Sequence, residues 1–480
     1  LPFVLILASC SASIVACAGK QKTAGDPDGD KQTSAADDGL SSCSADPQWL
    51  LAPSVPSEIP GTASICNFEQ FMWQSMLALV QPSANNKEVL EFETWMPSYG
   101  IFVKAGQPTS WGQHPPDACS TPPGTSVRTG EAPRLYSNII KQAGANQPLM
   151  DPSGEFVYYG MSVNKGVYDM LTGCQLYKSH CAGPLKPGNT GIDIIDRYPN
   201  LAYPDGAVVL KTSWMVLDEQ SIASGLFYSV PGWIQDQDGG ACRSATLGLT
   251  GMHIVAKTPS TPAFVWATFE QRNNAPDCDD KSAASPLGGS WNFYKPDCAD
   301  CPTNTYEAAR PAQVCRMHPQ GDSHIGTFPG GVDCNANPNQ FTCGAKTVSM
   351  LDESTQAIKD LNAGVQQLIR DNPDSIDPVW ANYELVGNVW TVGGTLPPYL
   401  QAQHGSLAAA NTSMETFVQN GVADVTNPYS CFSCHNMEGP EAGRTLPPVG
   451  LSHLFDSIEM SGGCDDDSLP TTCSPYYTNP

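Results

Sequence analysis

Positive charge is scarce in this 480-residue chain, where 24 Lys and Arg stand against 48 Asp and Glu for a net charge of −24. That balance excludes nucleic acid as a partner, since phosphate backbones are held by clustered Lys and Arg. It also disfavours an anionic membrane surface. Long apolar runs are absent. The opening stretch from Leu1 to Cys10 is too short to span a bilayer, and no later one is long enough. There is no G-x-S-x-G nucleophile elbow, no P-loop, no dinucleotide-binding glycine fingerprint and no internal repeat, which sets aside the enzyme classes that those motifs serve. Asp26 to Asp30 imitates the start of a calcium loop, but Lys31 holds the position that needs glycine.

Cysteine, by contrast, is abundant, with 18 in the chain. Such a thiol load fits an oxidising compartment and argues against the cytoplasm. Residues 1–17 read as an export signal of the lipoprotein type. Two tetrads end in a cysteine that a lipid could modify, Leu7-Ala8-Ser9-Cys10 and Ile14-Val15-Ala16-Cys17. Lipidation at Cys17 leaves an even number of cysteines for disulfides once the Cys431/Cys434 pair is set aside. Lipidation at Cys10 leaves an odd one, so Cys17 is preferred. The expected location is the periplasm or cell envelope, with the N-terminal lipid as the membrane attachment. Residues 18–47 are polar and poor in apolar side chains, and read as a flexible tether.

The body, residues 48–400, reads as α+β, β-rich and stapled by disulfides. Apolar spacing predicts an early amphipathic helix over Cys66–Val80 and a long one over Thr347–Arg370. Strands are expected at Val89–Trp95, Ala207–Leu217, Gly251–Lys257, Ala263–Glu270 and Tyr383–Val392. The Cys-, Pro- and Gly-rich stretch from Asn273 to Cys343 reads as cross-linked loops. Close neighbours suggest the pairs Cys174/Cys181, Cys334/Cys343 and Cys464/Cys473. Cys298-x-x-Cys301 reads as structural disulfide rather than redox motif, and His318 and His324 read as ordinary loop histidines.

Residues 401–480 carry the one motif whose chemistry is nearly fixed by spacing. Cys431-Phe432-Ser433-Cys434-His435 is a C-x-x-C-H pentad, the attachment signature of covalent haem c. The cysteine and histidine frequencies make a chance occurrence worth about 0.01 per chain. Cys431 and Cys434 are expected to form thioethers and His435 to ligate the iron. A disulfide beside an unrelated histidine, or part of a zinc site, are the competing readings. Short helices are expected before the motif, at Asn411–Gln419, and after it, at Leu451–Met460. The ligand on the other side of the iron is open: His453 leads as cofactor-binding and metal-ligating candidate, followed by Met460, Met414, His404, His253 or none. Only 45 residues follow His435, so the body is expected to pack over the haem.

Met252 to Pro259, Phe264 to Gln271 and Asn274 to Pro276 resemble an uncharacterised family of exported bacterial proteins. So do Asn382 to Gly387 and Ala410 to Phe417 ahead of the Ser430–His435 run. This family is similar to mono-haem cytochromes c with a large N-terminal portion. The resemblance implies one continuous architecture over roughly 200–455 and one covalent haem, but no substrate. It draws His253 toward the haem pocket. The leading expectation is a single-electron carrier with a redox protein partner, which an acidic surface would favour being basic. A haem-dependent oxidoreductase acting on a small molecule, and a surface binding protein with structural or sensory haem, are the alternatives.

Overall fold

The computed structural model describes residues 43–51, 54–61, 64–103, 106–113, 134–135, 140–144, 147–178, 198–235, 242–298, 301–308, 310–311, 313–318, 320, 351–391, 403–406, 410–419, 431, 435, 447–452, 454 and 469–477. At 134–135, 235, 351–355 and 403–404 only the backbone is described. Among the described residues nine strands form one sheet: β1 (Met96–Pro97), β2 (Arg134–Leu135), β3 (Tyr158–Val163), β4 (Val208–Val216), β5 (Ser229–Gln235), β6 (Cys242–Thr258), β7 (Thr261–Gln271), β8 (Tyr383–Thr391) and β9 (Gln403–Gly405). Seven of them run antiparallel in the order β1-β3-β4-β6-β7-β8-β9. The first half of β6 also pairs with β5, which β2 joins in parallel. With helices α1 (Ile65–Leu79), α2 (Ser98–Ile101), α3 (Lys165–Gly173), α4 (Glu219–Ser224) and α5 (Leu351–Asp371), this is the α+β class expected. Leu40–Pro480 is one compact unit that takes in both the body and the 401–480 segment.

One sheet face is apolar because alternate residues of the central strands are. Leu210, Ile254, Val265 and Phe269 join a cluster with Phe71, Trp73 and Met76 of α1 and Ile358, Leu361, Val365 and Ile369 of α5. The α5 residues recur three and four apart on one helical stripe, and each fully buried aliphatic chain contributes roughly 1.5–3 kcal/mol. Helix α1 starts at a capping box, in which Ser64 Oγ accepts from Asn67 N–H and Asn67 Oδ1 accepts from Ser64 N–H. Asn362 of α5 does a strand's work: its amide donates to Leu385 O and accepts from Leu385 N–H, at 2.8 and 3.1 Å, while also accepting from Trp73 Nε1. It thereby covers part of the β8 edge that the short β9, paired only at Val389–Thr391, leaves open.

The other face is divided. Val163, Val209, Val255, Phe264, Trp266 and Val389 join Ile101 of α2 and Val167, Met170 and Leu171 of α3 in a second apolar cluster. Beside it the face turns polar, and a third, smaller cluster holds Leu149, Tyr159, Phe293 and Met414.

Several sequence expectations need correction. Val89–Trp95 is not a strand: Glu91–Thr94 is a 3-10 turn, and the Glu93 carboxylate accepts from Leu90 N–H at 2.8 Å. The alternation of Leu90 and Phe92 suits a tight turn with one buried residue equally well. Of Asn411–Gln419, residues 412–418 form turns and a bend rather than a helix, and only Gln419 is helical. Four of the N–H groups go to side chains or to another segment: Asn411 N–H to Glu415, Thr412 N–H to Glu270, Ser413 N–H to Asn411 Oδ1, and Phe417 N–H to Ala143 O. Of Leu451–Met460, the described part belongs to a 3-10 turn, Pro448–Ser452, and to Leu454. The pairings Cys174/Cys181 and Cys464/Cys473 are replaced by one bond, Cys174–Cys473, which joins the end of α3 to the 3-10 turn Thr471–Tyr476. Cys334/Cys343 lies outside the described residues. The described part of the 273–343 region is loop, as expected, stapled by Cys278–Cys315 and Cys298–Cys301. At its C-terminal end the expected tether is pinned, because Cys43 is bonded to Cys66 of α1.

The Cys174–Cys473 bond closes a separation of 299 residues. Replacing both cysteines by serine is expected to lower stability by about 2–5 kcal/mol, read as a lower midpoint in thermal or denaturant unfolding.

Candidate functional site

Of the pentad, Cys431 and His435 are described, and Cys434 is not. His435 N–H donates to Cys431 O at 2.8 Å, one helical turn apart. Cys431 packs, half-buried, against the second apolar cluster. The imidazole of His435 is held on two sides. Its Nδ1 lies 2.8 Å from Leu451 O, and the ring of Trp266 stands 4.4 Å away at an interplanar angle of 38°. A carbonyl oxygen can only accept, so Nδ1 carries a proton, and in the neutral form of the ring the lone pair is then on Nε2. That is the tautomer that a metal-ligating histidine needs, and the carbonyl behind it raises the basicity of Nε2.

Both props are delivered by distant chain. Trp266 sits on β7 just past an irregularity where Phe264 adopts φ 66°. A left-handed conformation costs a non-glycine residue about 1–2 kcal/mol. Here it accompanies the burial of both Phe264 and Trp266 in the same cluster, with Trp266 Nε1 donating to Ala263 O at 2.8 Å. Leu451 is fixed by its 3-10 turn. Val449 N–H donates to Leu201 O at 3.0 Å, Ser452 Oγ meets Tyr203 Oη at 2.7 Å, and Val449, Leu451 and Leu454 are fully buried.

Next to this apolar seat the same sheet face carries a polar row. His253 of β6 pairs across the sheet with Lys211 of β4 and Thr268 of β7, one row from the Val255–Trp266 pair. The 411–419 turns lie over it as a strap. His253 Nε2 is 2.9 Å from Glu415 Oε1, Ser213 Oγ is 2.7 Å from Ser413 Oγ, Tyr159 Oη donates to Ser413 O at 2.6 Å, and Asn411 Nδ2 donates to Thr268 Oγ1 at 2.8 Å. Gly251 belongs here because a Cβ would come within 2.8–2.9 Å of Asn411, Ser213 and Ser413. Burial pushes the Glu415 carboxyl up, but the facing His253 and Lys211 charges outweigh it and hold it below the ordinary carboxylate range. Burial pulls the Lys211 ammonium down despite Glu415.

This arrangement bears on the ligand candidates. In this arrangement His253 does not offer Nε2 to iron, because Glu415 engages it. Met414 is buried in the third apolar cluster, apart from the one that holds Cys431. His404 is on β9, paired with Trp390, with its side chain outside the described residues. His453 and Met460 are outside them too. Among the described residues no group of three or more His, Cys, Asp or Glu converges as a metal site. Nor, among the described residues, is any helix long and apolar enough to cross a membrane. The roles of Trp266, the Leu451 carbonyl and Glu415 had no signal in the sequence, since each depends on which strand or turn comes to lie against it.

Comparison with protein-family models, curated proteins and solved structures finds no match to this chain. The resemblance to exported mono-haem proteins therefore rests on the residues quoted for it alone.

Because Glu415 ionises more readily in the folded protein than a free carboxyl does, its stabilisation is present above the unfolded value near pH 4.5. It is lost as pH falls through the lower folded value. Glu415→Gln is expected to be destabilising at pH 6, with the difference from the parent shrinking steadily below pH 4.5 in urea titrations.

Proposed function

We propose that the chain is an exported, envelope-attached mono-haem c-type cytochrome that passes single electrons to or from a redox protein partner. The observation that carries this reading is the His435 Nδ1 contact with the Leu451 carbonyl, next to a C-x-x-C-H pentad. A disulfide beside an unrelated histidine has no need of a ring backed by a carbonyl on one nitrogen and packed against Trp266. Cys431 and Cys434 would hold the porphyrin by thioethers, and His435 Nε2 would ligate the iron. When bound, the haem supplies a one-electron couple whose potential follows axial ligation, hydrogen bonding and burial.

The chain's own residues do the rest. The Leu451 carbonyl fixes the tautomer of His435, and Trp266 fixes the orientation of its ring. Val449, Leu451 and Leu454 exclude water from that side, as a buried ligand requires. The net charge of −24 steers a basic partner toward the surface and makes their encounter sensitive to salt. Attachment to the envelope falls to a lipid on Cys17, or on Cys10.

His453 is two residues beyond Leu451, at most about 7 Å of fully extended chain, whereas Met460 is nine residues beyond. With the longer reach from the carbonyl that backs His435, Met460 would be the second residue to hold the iron, ahead of His453.

The test uses protein produced in a host that attaches haem c. A pyridine haemochrome is expected to report one covalent haem, lost when Cys431 and Cys434 are both replaced by alanine. The reduced protein is expected to be low-spin and indifferent to carbon monoxide. Met460→Ala should open it to carbon monoxide, whereas His453→Ala should leave the spectrum unchanged. A high-spin parent that binds carbon monoxide would overturn electron transfer in favour of a haem oxidoreductase. A parent with no covalent haem would end the cytochrome reading altogether.

A further inference from the structure

On the opposite face of the sheet, at the start of α1, a buried carboxyl faces a disulfide with no other role yet assigned. Cys43 and Cys66 are bonded and both half-buried. Cys66 occupies the second position of α1, after the Ser64 cap. There the unsatisfied N–H groups of the first turn stabilise a thiolate. Glu69 follows one turn later and is 1% exposed. Its Oε2 lies 3.6 Å from Cys43 Sγ, and among the described residues its Oε1 has no hydrogen-bond partner. A disulfide sulfur carries no proton, so any hydrogen in the Glu69–Cys43 contact belongs to the carboxyl. Burial alone pushes that carboxyl up to about 8, and no charged side chain contributes to the shift. A lone carboxyl in such a place costs stability if charged, and packing that needed only a staple would not require it.

We propose that Cys43–Cys66 is a thiol–disulfide exchange site, with Cys66 as the exchanging sulfur, Cys43 as the resolving one and Glu69 as the proton donor and acceptor of Cys43. The co-substrate is a dithiol. Its first thiolate attacks Cys66 Sγ and forms a mixed disulfide; the Cys43–Cys66 bond breaks, and Cys43 leaves as a thiol with the proton of Glu69. The second thiol of the co-substrate, deprotonated by solvent, attacks its own sulfur in the mixed disulfide. Cys66 then leaves as a thiolate held by the N-terminus of α1. The co-substrate is oxidised to a disulfide and the protein gains two electrons. In the reverse direction Glu69 takes the proton from Cys43 as Cys43 resolves the mixed disulfide. The site is independent of the haem reading.

The Cys174–Cys473 and Cys278–Cys315 bonds are the controls, since Cys174, Cys473 and Cys315 are fully buried. The folded full-length protein is incubated with dithiothreitol over pH 6–10, quenched by alkylation and mapped by peptide mass spectrometry. Cys43–Cys66 is expected to open at least about tenfold faster than Cys174–Cys473 and Cys278–Cys315. Its rate per attacking thiolate should fall once pH passes about 8, as Glu69 loses the proton it donates. Glu69→Gln is expected to slow opening at least about tenfold at pH 7 and to abolish that pH dependence. A wild-type rate that follows the attacking thiolate alone across the whole range overturns the proposal, even if the variant fails to fold. So does a folded Gln variant that opens at the wild-type rate.

Discussion

Glu270 is the constraint on which the second face of the sheet depends. This carboxylate on β7 is fully buried, and an uncompensated charge there costs several kcal/mol. Its compensation comes from three other parts of the chain. Arg316 donates from two nitrogens at 3.2 and 3.4 Å, Asn274 Nδ2 donates at 3.3 Å, and Thr412 gives both its N–H and its hydroxyl. The disulfide-stapled loops and the 411–419 strap are therefore drawn to one point of the sheet. Arg316 is shared with Glu384 of β8, where burial pushes the carboxyl up and Arg316 and Arg272 pull against it. Removing one partner of such a cluster leaves a buried charge less well compensated, which is destabilising.

The strap matters because the pentad follows it. Gln419, the last described residue of the strap, is buried and accepts from Met317 N–H, and the next described residue is Cys431. His435 lies at the apolar half of the same face, against Trp266. The site lies at the border between two halves of one sheet face. One half is a dry seat of Val, Leu and Trp side chains, and the other is a satisfied polar row under Glu415 and Asn411. A seat that is wholly polar would admit water around the imidazole, and one that is wholly apolar would have nothing to hold the strap in register.

Periodicity made the regular elements legible. The spacing of Phe68, Phe71, Met72 and Leu77 gave α1, that of Ile358, Leu361, Val365 and Ile369 gave α5, and the strands at Val208–Val216, Thr261–Gln271 and Tyr383–Thr391 stood close to their expected limits. Expectation failed where side chains claim backbone hydrogen bonds. At Leu90–Glu93 and Asn411–Ser413 a carboxylate or amide takes backbone N–H groups that a strand or helical partner would otherwise claim, and a pattern of apolar residues cannot register that substitution. The disulfides failed for another reason. Nearness along the chain suggested Cys174 with Cys181, whereas nearness in space joined it to Cys473.

What the sequence determined by itself is the chemistry available: a C-x-x-C-H pentad, many cysteines able to pair, an acidic composition and an α+β set of periodicities. Each is a property of residue types and local spacing, so no fold is needed to read it. What only the tertiary structure decided is which nitrogen of His435 carries a proton, which ring and carbonyl hold it, and that His253 answers to Glu415. These are contacts between residues 16 to 169 positions apart along the chain. They exist because one sheet face brings the segments together, and local spacing carries no information about which segments will meet.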